Sequence, residues 1–341
     1  MNWTHLENLL DSVVNEVNFS GVISISSRQK VVYQRAAGYA DRSSRVLNTM
    51  NTRFGIASGT KFFTALAIGK LIDDGQLSLG TKLSDILCLP FDCYSSNITI
   101  QHLLTHTSGI PDYFDEELID DFDNYKVAVP WSELEEPRDY LAVFPDAPMK
   151  FQPGERFSYS NGGYILLGVI IEELSEIKYR EYVTEKILIP SEMHRSGYFA
   201  FNRLPESTAY GYIEEKQGWR TNIYDLPIIG ASDGGAYTTV KDLSNMWDAF
   251  WGGTILSTGL VEFLTRPFRR VETEGEDLYY GHGIWIYHKE QICEEYITGA
   301  DAGVSFKSGI LRDREIEYSV LSNTSTGAWP ILRIIHNFIR R

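Results

Sequence analysis

Three short stretches of this 341-residue chain carry side chains whose types and spacing suit bond-making chemistry. The first is Ser58-Gly59-Thr60-Lys61, where a hydroxyl and an amine stand three residues apart. A helix starting near Ser58 would put both on one face, a turn apart. Serine is a weak nucleophile at neutral pH, and a lysine stripped of water is one of the few groups able to take its proton. A helix N-terminus also offers unpaired backbone N–H groups close to where an oxyanion would form. The same spacing recurs at residues 27–30 and 175–178, so context has to separate the copies. The earlier copy reads as a polar turn between two strand-like runs, and the later one as the frayed end of a helix. Only Ser58 opens a segment that is apolar nearly all round (Phe62, Phe63, Ala65, Leu66, Ala67, Ile68, Leu71, Ile72), which is the pattern of a buried helix. The plainer alternative is an N-cap serine followed by a solvated lysine.

The second stretch, Tyr159-Ser160-Asn161, suits a loop that aims a phenol and an amide into one cleft, the first to shuttle a proton and the second to hold a substrate group. The third, Thr298-Gly299-Ala300, ends a predicted strand. A glycine there lets a ligand approach the strand edge, and the N–H that follows can serve as an oxyanion donor. Two other patterns compete with these. His102 and His106 are spaced i,i+4, but the glutamate of a zinc-binding H-E-x-x-H is missing and Leu103 stands in its place, so neither metal nor cofactor is expected. Gly230-Ala231-Ser232-Asp233-Gly234 matches a nucleophile elbow, with Asp301 and His336 able to complete the order Ser, Asp, His. The long buried strand that an elbow needs in front of it is absent from the sequence.

The elements that must position these residues follow in order. Leu6, Leu9, Leu10, Val13, Val14 and Val17 predict an amphipathic opening helix, and two β-rich runs over 22–26 and 31–34 predict a hairpin. The buried helix after Ser58 stops at Gly75. Short helices are expected over 83–89 and 100–110, an apolar helix over 164–174, and a Thr239-capped helix containing Leu243, Met246, Trp247 and Phe250. Strands are expected over 283–287, 292–298, 304–311 and 316–321, then a closing helix over 329–339. Residues 112–123 are acidic without a clean period and read as a solvated cleft rim. Strands at both ends with helices between predict a discontinuous sheet lobe (1–70 with 200–341) and an inserted helical lobe (71–199).

Composition narrows the function. A hydrophobic fraction of 43% gives ample material for a core, and a net charge of −15 argues against nucleic acid as a partner. Cys88, Cys93 and Cys293 show neither a disulfide framework nor a metal-ligand pattern, which suits a reducing compartment. No apolar run has the length of a membrane span, and Met1 to His5 lacks the start of a signal peptide. A cytoplasmic protein is expected on these grounds, or an extracytoplasmic one if a leader has been removed.

The three stretches, in this order, resemble the three motifs of the serine β-lactamase and penicillin-binding protein superfamily, more narrowly its class C-like branch, where tyrosine opens the second motif. Supporting phrases are His102-Leu103-Leu104-Thr105-His106-Thr107-Ser108-Gly109-Ile110-Pro111, Tyr159-Ser160-Asn161-Gly162-Gly163-Tyr164 and Gly234-Gly235-Ala236-Tyr237-Thr238-Thr239. The resemblance implies a β-lactamase/transpeptidase-like α+β fold, an antiparallel sheet flanked by helices with the site in the groove beside the helical lobe. It implies Ser58 as acylated nucleophile, Lys61 and Tyr159 as the proton-transfer pair, Asn161 on the substrate amide, Thr298 and Gly299 along the substrate, and the N–H groups of Ser58 and Ala300 as the oxyanion hole. The third motif departs from the family: Ile297 stands where Lys or His is usual. That shifts the expectation from carboxylate-bearing β-lactams or D-Ala peptides toward an esterase or a peptidase for other small-molecule or peptide substrates. His282 is a second candidate for the missing donor, with a packed strand-end histidine as its alternative. A binding or sensor protein on the same fold, with weak or no turnover, is the rival to an enzyme.

Overall fold

The computed structural model describes residues 1–273 and 277–340. Helix α1 (Trp3–Glu16) is capped by Asn2, whose side chain accepts from the His5 N–H, and it buries Leu6, Leu10 and Val14 along one stripe. Strands β1 (Gly21–Ser27) and β2 (Lys30–Ala37) form the expected hairpin. Its two turn residues, Arg28 and Gln29, both have positive φ (51° and 59°), the twist that a two-residue hairpin needs. The pair β3 (Tyr39–Asp41) and β4 (Val46–Leu47) follows, then β5 (Phe54–Gly55) and α2 (Thr60–Asp73). Helix α2 is buried on every side from Thr60 to Gly69, as its nearly all-apolar surface requires.

Between α2 and residue 200 the described chain is helical or irregular, with α3 (Ile100–Leu104), α4 (Asn161–Ser175) and α5 (Tyr179–Val183). Of the expected helix over 83–89 only a single tight turn, Leu83–Asp85, forms, because the segment has too few residues to offset nucleation. Helix α4 starts three residues before the apolar run that announced it. Ser160 caps it by accepting the Gly163 N–H at 3.0 Å, and the Asp112 carboxylate accepts the Gly162 N–H at 3.1 Å. Beyond the pair β6 (Tyr212–Glu215) and β7 (Gly218–Thr221), β8 (Tyr237–Thr238) returns to pair with β5. Helices α6 (Val240–Trp251) and α7 (Thr258–Leu264) come next, with Thr239 capping α6 through the Asp242 N–H.

The final strands are β9 (Arg269–Val271), β10 (Leu278–Tyr280), β11 (Trp285–Lys289), β12 (Ile292–Asp301), β13 (Val304–Leu311) and β14 (Ile316–Ser322), followed by α8 (Ala328–Ile339). They join the first hairpin in one eight-stranded sheet of order β2-β1-β14-β13-β12-β11-β10-β9, antiparallel throughout. Strand β11 begins two residues later than the sequence suggested. Gly283 ahead of it has φ +90° and abuts α2, where a Cβ would stand 2.2 Å from Ala65 Cβ. The two ends of the chain meet in the sheet, Gly21 opposite Ser322 and Ser27 opposite Ile316. One face of the sheet, with Ile23, Ile25, Tyr318 and Val320, packs under α1 and α8. The other, with Val22, Ile297, Phe306 and Leu321, shares a single large core with α2, α4 and α6.

Candidate active site

Ser58 sits in a 3₁₀ turn, Ala57–Gly59, wedged between the β5–β8 pair and the start of α2. The α-helix proper begins at Thr60, two residues later than a helix opening at Ser58 would have it. The turn is tight because Ala57 adopts φ +44°, an uncommon conformation for a residue with a side chain. Two hydrogen bonds hold it there: the Ala57 carbonyl accepts from Thr60 Oγ1 at 2.7 Å and from the Gly235 N–H at 3.3 Å. Thr60 Oγ1 in turn accepts the Ala236 N–H at 2.9 Å, so one hydroxyl ties the turn to the strand behind it.

Lys61, the first-turn residue of α2, is 2% exposed. Its Nζ donates to Ser58 Oγ at 3.0 Å, to Asn161 Oδ1 at 2.6 Å and to the Asp233 carbonyl at 2.6 Å. Those three bonds use all the donors an ammonium has. Burial pushes the lysine below its ordinary range, and the carboxylates of Asp233, Glu116, Asp112 and Asp301 oppose that shift. Asn161 opens α4, and its Nδ2 donates to the Phe114 carbonyl at 2.9 Å and to Glu116 at 3.3 Å, which fixes the amide with its oxygen toward Lys61. The Tyr159 ring lies 4.9 Å from Lys61 Nζ and 4.3 Å from the ring of His106. Burial drives the Tyr159 phenol far above its usual range, with Glu116 adding to the rise and a hydrogen bond with Ser58 resisting it. The fully buried His106 accepts the Ser160 N–H at Nδ1, and burial with Lys61 nearby keeps it neutral.

Strand β12 closes the third side. At Gly299 it runs directly against the Ser58 turn, where a Cβ would stand 2.2 Å from the Ile56 carbonyl oxygen and 2.8 Å from the Ser58 nitrogen. No other residue type fits that approach. Thr298 Oγ1 donates to the Phe306 carbonyl at 2.8 Å on β13. Ile297 is 2% exposed and belongs to the core beneath the sheet. His282 lies buried between the rings of Phe263 and Phe268, and burial lowers it to about 4, so it brings no positive charge at neutral pH.

Ser58, Asn161 and Ala300 share the wall of a cleft of about 800 Å³, part of it open to solvent. Lys61 and Tyr159 stand around Ser58, and Gly299 lies behind its turn. Several groups around the cleft escaped the sequence reading. The Asp233 backbone carbonyl holds Lys61, a role that no side-chain pattern announces. Glu116 and Asp301 face the same space; the acidic run at 112–123 hinted at the first, and the second was named only as a partner of the Ser232 elbow. Asp112, behind the cleft, is pushed up to about 7 by burial. The elbow reading finds no matching geometry. Ser232 is 0% exposed, and its hydroxyl has no hydrogen-bond partner among the described residues. It packs against Gly168, where a Cβ would stand 2.2 Å from Ser232 Oγ. His336 lies on the far face of the sheet beside Tyr318 Oη, at 3.1 Å.

Comparison with known proteins bears on the family and the fold. A family described as Beta-lactamase matches residues 6–331. The penicillin-binding protein of Bacillus halodurans superposes with a TM-score of 0.90 at 42% identity, over 96% of this chain and 99% of that one. An octameric penicillin-binding protein homologue from Pyrococcus abyssi gives a TM-score of 0.84 at 30% identity, over 100% of this chain and 78% of the other. Penicillin-binding protein 4* of Bacillus subtilis is 29% identical over 298 residues, which make up 83% of this chain. The match spans 62% of that relative's length, less than two thirds of it.

Proposed function

The chain belongs to the β-lactamase family, a serine-hydrolase family, and we propose that it hydrolyses amide or ester bonds through an acyl-enzyme on Ser58. The observation that carries this reading is the 3.0 Å contact between Ser58 Oγ and a lysine whose burial favours the neutral amine. In the proposed sequence Lys61 first gives up the proton it shares with Ser58, keeps its two remaining N–H groups on Asn161 and the Asp233 carbonyl, and takes the Ser58 proton on its lone pair as Oγ attacks the substrate carbonyl. The oxyanion is held by the N–H groups of Ser58 and Ala300. Tyr159, kept as the neutral phenol, relays a proton to the leaving amine or alcohol as the C–N or C–O bond breaks. Water then attacks the Ser58 ester by the reverse proton route, releasing the carboxylic acid and restoring the hydroxyl. Asn161 positions Lys61 and the substrate amide, while Thr298 and Gly299 line the extended part of the substrate.

We assign residues 1–70 and 200–341 to a sheet lobe and 71–199 to a helical lobe, with the cleft between them. The sheet strands, drawn from 21–37 and 269–322, support the division. Within the family we favour a class C-like esterase or peptidase, since Ile297 leaves the third motif without a cation.

Incubation with a fluorescent phosphonate or penicillin followed by peptide mass spectrometry tests the reading. One adduct on Ser58, absent from Ser58→Ala, is expected. An adduct on Ser232 would overturn the assignment, and no adduct with either probe would leave a binding protein on a hydrolase fold.

A further inference from the structure

We propose that His106 is a positioning residue for Tyr159: from one point behind the cleft it holds the backbone on both sides of the phenol and packs against its ring. This rests on the reading of Tyr159 as the relay to the leaving group, and it assigns the residue that sets where that relay stands.

His106 occupies a position where glycine is the usual residue. Helix α3 ends in a Schellman closure, with the His106 N–H on the Leu103 carbonyl at 3.4 Å and the Thr107 N–H on the His102 carbonyl at 2.9 Å. The residue at the centre of such a closure takes the left-handed conformation, and His106 has φ +54°. Glycine would meet that demand without strain, so the imidazole needs another explanation. Contact with substrate is not the reason: His106 is 1% exposed and is not among the residues lining the cleft.

Its own contacts supply the reason. The His106 carbonyl accepts the Ser158 N–H at 2.9 Å, and its Nδ1 accepts the Ser160 N–H at 3.0 Å. Those two donors flank Tyr159, so a single residue fixes the chain before and after the phenol. The imidazole also lies 4.3 Å from the Tyr159 ring, centroid to centroid, with the planes tilted by 34°. Tyr280 at 4.7 Å and Tyr164 at 5.0 Å complete a cage of three phenols around it. Because Nδ1 accepts, it carries the lone pair, which leaves the proton of the neutral ring on Nε2. Nε2 is buried with no hydrogen-bond partner among the described residues. Electron-rich rings tolerate an N–H better than a lone pair, so the cage itself favours the tautomer that grips Ser160.

A relay has to be held because proton transfer is steep in distance, and an error of about 1 Å costs about 10²-fold. The Tyr159 ring stands 4.9 Å from Lys61 Nζ, so a shift of the ring would alter its place beside the base as well.

Two esters with the same acyl group test the proposal. The p-nitrophenolate of p-nitrophenyl butyrate departs without a proton, whereas the alkoxide of ethyl butyrate needs one. The ratio of their kcat/KM values, followed in a pH-stat, therefore reads the relay. His106→Gly relieves the backbone but removes the acceptor and the ring, and it should lower the ethyl-to-nitrophenyl ratio by about tenfold or more. His106→Asn also suits the left-handed conformation and places Oδ1 where Nδ1 stood, so it should restore most of the ratio. A loss of folded protein, or a disturbance passed through Asn161 to Lys61, slows both esters alike and leaves the ratio unaltered. In a Tyr159→Phe background His106→Gly should lower the ratio no further. An unchanged ratio in His106→Gly, or an equal further fall without the phenol, would overturn the positioning role and leave the acyl-enzyme reading standing. An unchanged ratio in Tyr159→Phe would instead overturn the relay reading, and the role of His106 with it.

Discussion

At the scale of single residues, the candidate nucleophile and its base are adjacent because a tight turn and a helix start share four residues. Activation depends on the charge state of Lys61, which two opposing effects set. Burial favours the neutral amine, whereas Asp233, Glu116, Asp112 and Asp301 favour the ammonium. If Lys61 must be neutral to accept the proton, kcat/KM rises with pH along a limb lying below the ordinary range of lysine. Replacing Asp233→Asn removes a charge that holds the proton on Lys61 and keeps the backbone carbonyl that binds it, so the limb should move to lower pH. A pH–rate profile on a neutral ester reads that shift, and a move to higher pH would reverse the assignment of base. Tyr159→Phe removes the proposed relay to the leaving group. The expected loss is about 10² or more in the acylation rate, measured by single-turnover kinetics, and it should be larger for an amide than for an activated ester because the amide's leaving group needs the proton more.

At the scale of elements, three pieces distant in sequence converge: the turn at Ala57–Gly59, the start of α4 and the end of β12. The strand end is the least tolerant of them. Gly299→Ala would drive a methyl group into the backbone at Ile56 and Ser58, so the turn and strand must part by a sizeable fraction of an ångström. We expect about a 10²-fold loss of phosphonate labelling at Ser58 with the far-ultraviolet dichroism retained. Labelling at the wild-type rate would mean that the strand does not set the position of the turn. How far the sequence revealed these pieces depends on what each is made of. Side-chain periodicity disclosed α1, α6, α8 and the hairpin, because their apolar stripes repeat along one face. The start of α4 at Asn161 was hidden, since Gly162 and Gly163 carry no pattern and their N–H groups are satisfied by Ser160 and Asp112. The positive φ of Ala57 was equally hidden, because it is imposed by Thr60 and Gly235 and not by alanine itself. Hydroxyl-to-amine spacing drew attention to Ser58 and Lys61, whereas the hold of the Asp233 carbonyl on Lys61 is a contact that only the folded chain creates.

At the scale of the whole molecule, the sheet carries a buried charge network on the face opposite the cleft. Glu294, 0% exposed, accepts from Arg340 Nε at 2.7 Å and faces Lys307 Nζ at 3.5 Å and His336 Nε2 at 3.7 Å. Although burial alone would raise it, Lys307 and Arg340 hold Glu294 down at about 2. Burial, reinforced by Lys307, lowers His336 to about 2 as well. Both folded values lie below those of the unfolded chain, so at these two groups unfolding takes up protons and their contribution to stability falls with acidity. That contribution is lost from near pH 6.5 through His336 and below about 4.5 through Glu294, against the opposite trend of Asp112, Asp301 and Glu317, which burial raises to about 7, so it is read as the difference between wild type and a network variant. Urea unfolding as a function of pH measures it. Glu294→Gln should lose about 3–5 kcal/mol at pH 7, because its buried cations stay behind, and should show a shallower decline below pH 4.5. The pairing of β1 with β14 also governs when this protein can become itself. Strand β1 ends at Ser27, but its partner begins only at Ile316, so the whole intervening chain must be made before the central ladder can close. Until then α1 has no α8 to cover it, and the hairpin waits with an open edge. Closure of the sheet is therefore late relative to the hairpin, and in the interval the open strand edge has to be kept from other strands.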